Sequence, residues 1–194
     1  MKFNLSEVSE LIRSRRTIYP EQYSQRKIQQ DQIEHILNNA LWAPTHGNTQ
    51  PWRFTVFTDG SREDLALFLT ESYLKNTPKE KQKDTKLAKM MNRPKQASVV
   101  VAVSMKRDPS RKIKEIEEIE AVACSIHNMH LTCTAYGIGG FWSTPAAIYT
   151  EEINEFLNLD KEDKCLGLFY MGYPEIEWPK GHRKPLEYIS EWRD

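Results

Sequence analysis

The chain has 194 residues, of which 39% are hydrophobic and 28% are charged. This balance is typical of a globular protein with a sizeable core and excludes a disordered chain, so we expect a single domain over residues 1–194. The 27 basic residues equal the 27 acidic residues in number, and the formal net charge is zero. A nucleic-acid-binding domain would carry a basic excess, so the sequence predicts no nucleic-acid partner.

The sequence also argues against a membrane or secreted protein. No apolar run approaches the roughly 20 residues that a membrane-spanning helix needs. Residues 1–16 lack an apolar signal core followed by small residues. The three cysteines, Cys124, Cys133 and Cys165, are odd in number and form no CxxC pair, which favours packing roles over a redox or metal role. Together these features predict a cytoplasmic protein.

Caps and apolar spacing predict the helices. A first helix is expected with Ser6 as its cap and with apolar residues at positions 5, 8, 11 and 12. A second begins at the D-x-x-E capping pattern of Asp31 and Glu34 and stops before Pro44, because the residue before a proline avoids the helical region. Further helices are expected over 61–75, in part of the exposed segment 76–96, over 113–136 and over 151–157 behind Thr150. The apolar stripe of the longest one, which Gly137 ends as a left-handed cap, comprises Ile116, Ile119, Val122, Ala123, Ile126, Met129, His130 and Cys133.

Three segments have the composition of strands. Residues 53–58 alternate in polarity, and residues 98–104 form a continuous β-branched run that indicates a strand covered on both faces. Residues 165–173 read as a further core strand. With three or four strands alternating with helices, we expect an α+β domain in which helices pack on a small mixed sheet. The sequence does not give the order of the strands.

Two basic clusters are candidate phosphate-binding groups. Arg15, Arg16 and Thr17 follow the first helix, and Arg183 and Lys184 lie far away in the sequence. The guanidinium fork suits a pair of phosphate oxygens, and a hydroxyl adds a donor. Taken alone, the first cluster is more often a solvated helix end, and the second a surface tail.

A polar loop is predicted over residues 44–52, with the sequence PTHGNTQPW. The amides of Asn48 and Gln50 carry paired donors and acceptors that can read the edge of a planar heterocycle. Thr45, His46 and Gly47 would expose backbone amides nearby. A turn whose polar side chains satisfy its own backbone explains the same residues equally well.

A glycine-rich segment over residues 137–145 is another candidate. Two adjacent glycines would let the backbone approach a flat ligand, with Trp142 near a ring and the amides of Ser143 and Thr144 near a ring nitrogen. The alternative is a tight strand turn with a buried tryptophan. Sequence signatures of dinucleotide-binding, P-loop and serine-hydrolase sites are absent. His127 and His130 lack a ligand set nearby, so we expect packing or surface histidines and no metal site.

The order of these clusters carries more information than any one of them. R-R-S/T after a first helix, A-P-S/T-x-x-N-x-Q-P-W before a strand, G-I/L-G-x-x-W after a long helix and a terminal R-K-P-L-E follow one another along the chain. This arrangement resembles the FMN-dependent nitroreductase family over essentially the whole chain, and its length is closer to the compact members. Residues 43–52 are the most specific part, followed by residues 183–187.

The resemblance implies a fold and a set of cofactor contacts. It implies a nitroreductase-like α+β fold with a mainly antiparallel sheet and an intertwined homodimer with FMN at the subunit interface. Arg15, Arg16 and Thr17 match the stretch that binds the flavin phosphate and ribityl chain. Arg183 and Lys184 match basic contacts to the same phosphate, and Arg93 matches a further basic contact to the flavin ring. The loop that reaches the flavin of the other subunit is matched by Pro44, Thr45, His46 and Asn48, with Gln50 in support.

Trp142, Ser143 and Thr144 match the segment whose backbone lies along the isoalloxazine near N5. The sequence departs from the family pattern there, because W-S-T-P replaces the P-I-E-G-like run of the larger members. His46 stands where serine is common, and Thr17 replaces serine but keeps the hydroxyl.

The implied activity is reduction of a nitroaromatic, quinone or enone with NAD(P)H as co-substrate. The scheme is ping-pong, and we expect cofactor contacts but no catalytic side chain. Alternatives are an FMN-dependent dehydrogenase or flavin-modifying enzyme, a non-catalytic flavin-binding protein of the same fold, and a generic interaction module.

Overall fold

The computed structural model describes residues 3–193 as six α-helices and one four-stranded sheet. No helix within those residues is both long and apolar enough to cross a membrane. The helices are α1 (Leu5–Ser14), α2 (Gln30–Ala40), α3 (Ser61–Asn76), α4 (Asp84–Gln96), α5 (Glu115–Ala135) and α6 (Glu151–Leu157). The strands are β1 (Trp52–Phe57), β2 (Val99–Met105), β3 (Gly139–Ser143) and β4 (Lys164–Gly172). Each helix and strand expected from the sequence is therefore present, but the predicted start of α2 at Asp31 is wrong, because Gln29 is its cap and shares a capping box with Gln32.

Helix α1 begins two residues earlier than the sequence suggested. The cap is Asn4, whose side-chain oxygen accepts a hydrogen bond from the Ser6 amide at 3.0 Å. The prediction that Ser6 caps the helix is therefore wrong, because both residues have the right chemistry and Asn4 has the extended backbone that a cap needs. No residue of the helix is fully buried, and Leu5, Val8 and Ile12 are exposed to solvent in the single chain.

The strand order is β1-β2-β4-β3, and each neighbouring pair is antiparallel. Strands β1 and β3 therefore form the two edges of the sheet. A parallel contact appears at the isolated bridge between Thr17 and Gly140, outside the named strands. The α+β fold is confirmed, and the sheet is antiparallel through its four strands.

Two apolar clusters cover the two faces of the sheet. Strand β2 is buried at every position, which confirms the strand covered on both faces. Because side chains alternate along a strand, Val99, Val101 and Val103 join the cluster with α2 and α5, whereas Val100 and Ala102 join the cluster with α3 and α6.

Helix α5 crosses one face of the sheet over 21 residues, a length of about 30 Å. Gly137 follows it with a φ of 67°, as the predicted left-handed cap requires. The predicted apolar stripe is wrong at Ile116, which is exposed. Glu118 is buried in the first turns instead, where it pairs with Arg107.

Candidate functional site

Several of the sequence-predicted residues gather at the β3 edge of the sheet. We call Arg15, Arg16, Thr17, Arg93, Trp142 and Arg183 the β3-edge cluster. Thr17 pairs with Gly140 in the parallel bridge, and the Ile18 amide donates to the Gly140 carbonyl at 3.2 Å. The segment that leaves α1 thus runs along the outer side of β3.

Two arginines that are distant in sequence lie close enough to interact. Burial lowers the pKa of the Arg15 guanidinium, and the positive charges of Arg183 and Arg16 lower it further. Within residues 3–193 neither Arg15 nor Arg183 has an acidic group in ion-pair distance. Like charges held together without an acid disfavour the protonated state, and an anion bound between them would relieve that repulsion.

The C-terminal segment is tied to the end of α1. The Trp178 indole N–H donates to the Ser14 carbonyl at 2.6 Å, and Arg16 Nε donates to the Pro179 carbonyl at 2.9 Å. Arg16 Nη1 donates to the carbonyls of Arg13 and Arg15. Trp178 and Arg16 Nε therefore tether the C-terminal segment that carries Arg183 to the end of α1, where Arg15 lies. The role of Trp178 could not be predicted from the sequence, because its partner is a backbone carbonyl 164 positions away.

His130 on α5 holds the segment that follows α1 through a hydrogen bond to the Arg16 carbonyl. Burial lowers its pKa to about 4, so the imidazole is neutral at pH 7 and its Nε2–H donates to the Arg16 carbonyl at 2.9 Å. His130 and Phe169 also fill the space beside Gly140, where an added Cβ would lie 2.9 Å from His130 Cδ2 and 2.8 Å from Phe169 Cζ. Gly140 is therefore required for packing between α5 and β3. The packing role expected for His130 is confirmed.

Arg93 joins the cluster from α4. Its Nε donates to a Glu21 carboxylate oxygen at 2.8 Å, and its guanidinium lies 5.1 Å from the centre of the Phe141 ring. Its side chain is only 16% exposed. Since Phe141 precedes Trp142 on β3, Arg93 places a cation next to the glycine-rich segment.

The end of β3 is open to solvent. Trp142 is 40% exposed rather than buried, and its indole N–H donates to the Leu166 carbonyl at 3.1 Å. Ser143 is half-buried and Thr144 is exposed. Lys184 is exposed and has no ion-pair partner among the residues that the structure describes.

The second group of predicted residues lies at the opposite edge of the sheet. We call residues 43–50, which lead into β1, the β1-edge loop. The Thr45 hydroxyl accepts from the Gln50 amide at 3.3 Å, and the Gln50 side chain donates to the Asn48 side-chain oxygen at 3.2 Å. His46 Nδ1 lies 2.5 Å from a carboxylate oxygen of Glu117 on α5. The loop is therefore ordered by its own polar groups, and Pro44, His46 and Asn48 remain exposed.

Residues at and just before the start of α5 support the β1-edge loop. Gly47 has a φ of 59° and lies against Ile113, whose Cδ1 would be 3.0 Å from an added Cβ. Arg107 donates to the Ile113 carbonyl at 2.9 Å and pairs with the buried Glu118. Glu117 and Glu118 carry no sequence motif, so their importance emerges only from the fold.

The two groups do not meet within one chain. Helix α5 contacts the β1-edge loop through Glu117 and the β3-edge cluster through His130. Thirteen residues separate these contacts, which is about 20 Å along the helix axis. A single ligand the size of one ring system therefore contacts only one of the two groups in a given chain.

Comparisons with known proteins agree with this architecture. The model of the nitroreductase family matches residues 12–173. YdjA of Escherichia coli (strain K12), provisionally assigned as an NAD(P)H nitroreductase, is 26% identical over 147 residues, which cover 76% of this chain and 78% of YdjA.

Two solved structures have the same fold. The nitroreductase-like family protein of Bacillus cereus superposes with a TM-score of 0.84 at 22% identity, covering 100% of this chain and 99% of that one. The FMN-dependent nitroreductase NfnB of Mycobacterium smegmatis, solved in complex with NADPH, superposes with a TM-score of 0.76 at 16% identity, covering 98% of this chain and 100% of NfnB. Because the family model spans most of its length, the chain belongs to the nitroreductase family.

Proposed function

We propose that the protein is an FMN-dependent oxidoreductase that uses NAD(P)H to reduce electron-poor small molecules. The observation that carries the proposal is the placement of Arg15 and Arg183, two cations near enough for the charge of one to lower the pKa of the other, with no acid in ion-pair distance of either among residues 3–193. A phosphate monoester is the group that such a pair suits best. FMN, when bound, supplies the hydride and electron chemistry, while the protein supplies binding, orientation and electrostatics.

The β3-edge cluster fits the parts of FMN in order. Arg15 and Arg183 would hold the phosphate, with the Thr17 hydroxyl and the Arg16 Nη2 as further donors. Trp142, Ser143 and Thr144 would lie along the ring, and Arg93 would place a cation near its edge. Charge-assisted hydrogen bonds of this kind contribute about 1.5 to 3 kcal/mol each, so the two phosphate-binding arginines account for a few kcal/mol of affinity.

The exposed β1-edge loop supports a homodimer with FMN at the interface. Within one chain its residues Pro44, Thr45, His46, Asn48 and Gln50 lie at the wrong edge of the sheet to reach that cofactor. A second copy would bring them there. The single chain also exposes apolar surface that a partner would cover, including Leu5 at 78%, Trp42 at 86% and Trp192 at 83%.

The chain's own residues bind and orient the reactants, and no side chain is assigned a proton transfer. The donor and the acceptor would occupy the same open side of the site in turn, which is a ping-pong scheme. Nitroaromatics and quinones are the acceptors that this chemistry suits.

The proposal is tested by the visible spectrum of the protein reconstituted with FMN, followed by NADH or NADPH without oxygen. We expect a bound flavin that bleaches with the donor and recovers with a nitroaromatic or quinone. A bound flavin that stays oxidised would favour a dehydrogenase, a flavin-modifying enzyme or a flavin-binding protein. No bound flavin at micromolar FMN would contradict the assignment and favour an interaction module.

The phosphate site is tested by comparing FMN with riboflavin, which lacks the phosphate. Wild-type protein should bind FMN much more tightly than riboflavin. Arg15→Ala should weaken FMN binding about 10- to 100-fold and leave riboflavin binding nearly unchanged. Arg13→Ala removes an equal charge from an exposed side chain on the last turn of α1 and serves as the matched control. Equal losses in both variants, or for both ligands, would argue against a phosphate between Arg15 and Arg183.

A further inference from the structure

Positive charge is concentrated in one segment of this neutral chain. Residues 75–95 contain eight basic residues and only two acidic ones, so this segment carries a net charge of +6 and the rest of the chain −6. The segment covers the end of α3 and most of α4. An imbalance of this size in about a tenth of the chain creates a local field that a ligand approaching the surface would meet.

Three of these cations form a row on α4. On an α-helix with 100° per residue, Lys86 and Lys89 lie within about 20° and 40° of the direction of Arg93. The row spans about 10 Å along the axis. Lys95, on the same helix, points about 160° away from Arg93.

The row leads to the β3-edge cluster. Arg93 lies beside Phe141, and its own charge is compensated by Glu21. Lys86 and Lys89 are exposed, and neither has an acidic side chain within ion-pair distance among residues 3–193. Their charges are therefore available to a ligand that enters next to Phe141 and Trp142.

We propose that Lys86 and Lys89 select anionic reactants for the flavin site. This inference rests on the proposed function and names the class of molecule that the site prefers. The two lysines would recognise a phosphate or carboxylate on the incoming reactant. This group would lie at some distance from the ring that reacts. An extra phosphate distinguishes NADPH from NADH, and a carboxylate distinguishes an anionic nitroaromatic such as 4-nitrobenzoate from neutral nitrobenzene.

The size of the effect follows from screened electrostatics. Exposed lysines act through water, so each contributes weakly, and their attraction extends about 10 Å at 0.1 M salt. We expect the pair to raise kcat/KM for the more anionic reactant about three- to tenfold at low ionic strength. The preference should shrink towards one at 0.5 M salt, where screening is stronger.

The test compares Lys86→Gln, Lys89→Gln and the double variant with Lys95→Gln as the matched control. FMN content is measured first, because the proposed function predicts full occupancy in all four variants. One arm follows anaerobic flavin reduction by NADPH and by NADH. The other follows reoxidation by 4-nitrobenzoate and by nitrobenzene, and both arms are repeated at low and high salt.

A selective loss for NADPH or for 4-nitrobenzoate in the double variant, with Lys95→Gln unchanged, would support the proposal and identify which reactant carries the anion. Unchanged ratios in both arms would overturn it, as would equal losses for anionic and less charged reactants or an equal loss in Lys95→Gln. Those outcomes leave the proposed function intact. Flavin that binds in no variant, wild type included, would instead overturn the proposed function and this inference together.

Discussion

The two edges of the sheet hold their polar residues in different ways. At the β3 edge, residues from four distant parts of the chain converge, and the charges of Arg15 and Arg183 interact with no acid in ion-pair distance of either among the described residues. At the β1 edge, the loop satisfies itself with short-range hydrogen bonds and one contact to Glu117, and exposes the rest. The β3 edge thus carries positive charge that has no counter-ion among the described residues, whereas the polar groups of the β1-edge loop are ordered by partners within the same chain.

In the proposed homodimer, the cofactor site would combine residues that no single chain brings together. Helix α5 keeps the two edges about 20 Å apart within one chain, so only the proposed homodimer would bring the loop and the arginines to one cofactor. Substitutions that remove the contacts supporting either edge, and mixtures of variants with a defect at each edge, test whether the two edges act together.

The largest effect should come from the support of the β1 edge. Glu118→Ala removes the charge partner of Arg107, whose side chain is only 16% exposed. It also loosens the hydrogen bond from Arg107 to the Ile113 carbonyl. We expect a loss of about 3 to 5 kcal/mol in the free energy of unfolding, or roughly 10 °C in Tm. Urea and thermal unfolding measure the change. Glu162→Ala, which breaks the exposed pair with Arg111, is the control and should change stability by under about 1 kcal/mol.

The support of the β3 edge should depend on pH through His130. Because burial lowers its pKa from 6.5 to about 4, the unfolded chain binds a proton there between these values and the folded protein does not. The contribution of His130 to stability is therefore fully present above pH 6.5 and is lost as the pH falls towards 4. We expect a loss of about 2 kcal/mol between pH 7.5 and pH 5.

Urea unfolding of wild type and His130→Gln at both pH values isolates this contribution from the other titrating groups. The variant should be less stable at pH 7.5 and should lose less stability on acidification. Arg15 and His127 add to the depression of the pKa by their charges, so Arg15→Ala should reduce the pH dependence slightly. An equal acid-induced loss in wild type and His130→Gln would show that His130 does not titrate as argued.

Cooperation between the edges is tested by mixing two defective variants. Arg15→Ala damages the β3 edge and Asn48→Ala the β1 edge. If each site combines the β3 edge of one subunit with the β1 edge of the other, every mixed dimer has one intact and one doubly defective site. Random exchange should then restore about a quarter of the wild-type number of sites.

Flavin titration and NAD(P)H oxidation after co-refolding an equimolar mixture measure the restored fraction. A mixture that stays at the mean of the two separate variants would show that each site uses a single chain. Arg15→Ala mixed with Arg183→Ala provides the control, because both changes lie at the same edge and no mixed dimer gains an intact site.

The sequence predicted the elements well because their signals are local. The alternation in residues 53–58, the β-branched run in residues 98–104 and the cap at Gly137 each depend on neighbours in the chain. The first cap failed because Asn4 and Ser6 both suit that position and only the backbone decides between them. The apolar stripe failed at Ile116, since a long helix leaves its core at one end while its periodicity continues.

The candidate site was predictable only where its signals are local motifs. Motifs pointed to Arg15 and Arg183, but their convergence depends on Trp178 and Arg16 binding backbone carbonyls, which leave no mark in the sequence. Glu117 meets His46 from 71 positions away, and Glu21 meets Arg93 from 72. Long-range partners of this kind are chosen by the fold, so periodicity and motif spacing do not reveal them.

The smallest effect is expected from replacing two glycines by alanine. The pair separates the effect of backbone strain from the effect of a steric contact. Gly47 and Gly137 both have positive φ, at 59° and 67°, so an alanine at either position should cost about 1 to 2 kcal/mol of stability. Only Gly47 also has Ile113 against it, whereas nothing lies within 4 Å of an added Cβ at Gly137. Gly47→Ala should therefore shift the β1-edge loop and weaken FMN binding several-fold, while Gly137→Ala, equally strained, should bind FMN as wild type does. If both variants bind FMN equally well, the loop does not reach the cofactor from either subunit, and the contrast between the two edges loses its functional meaning.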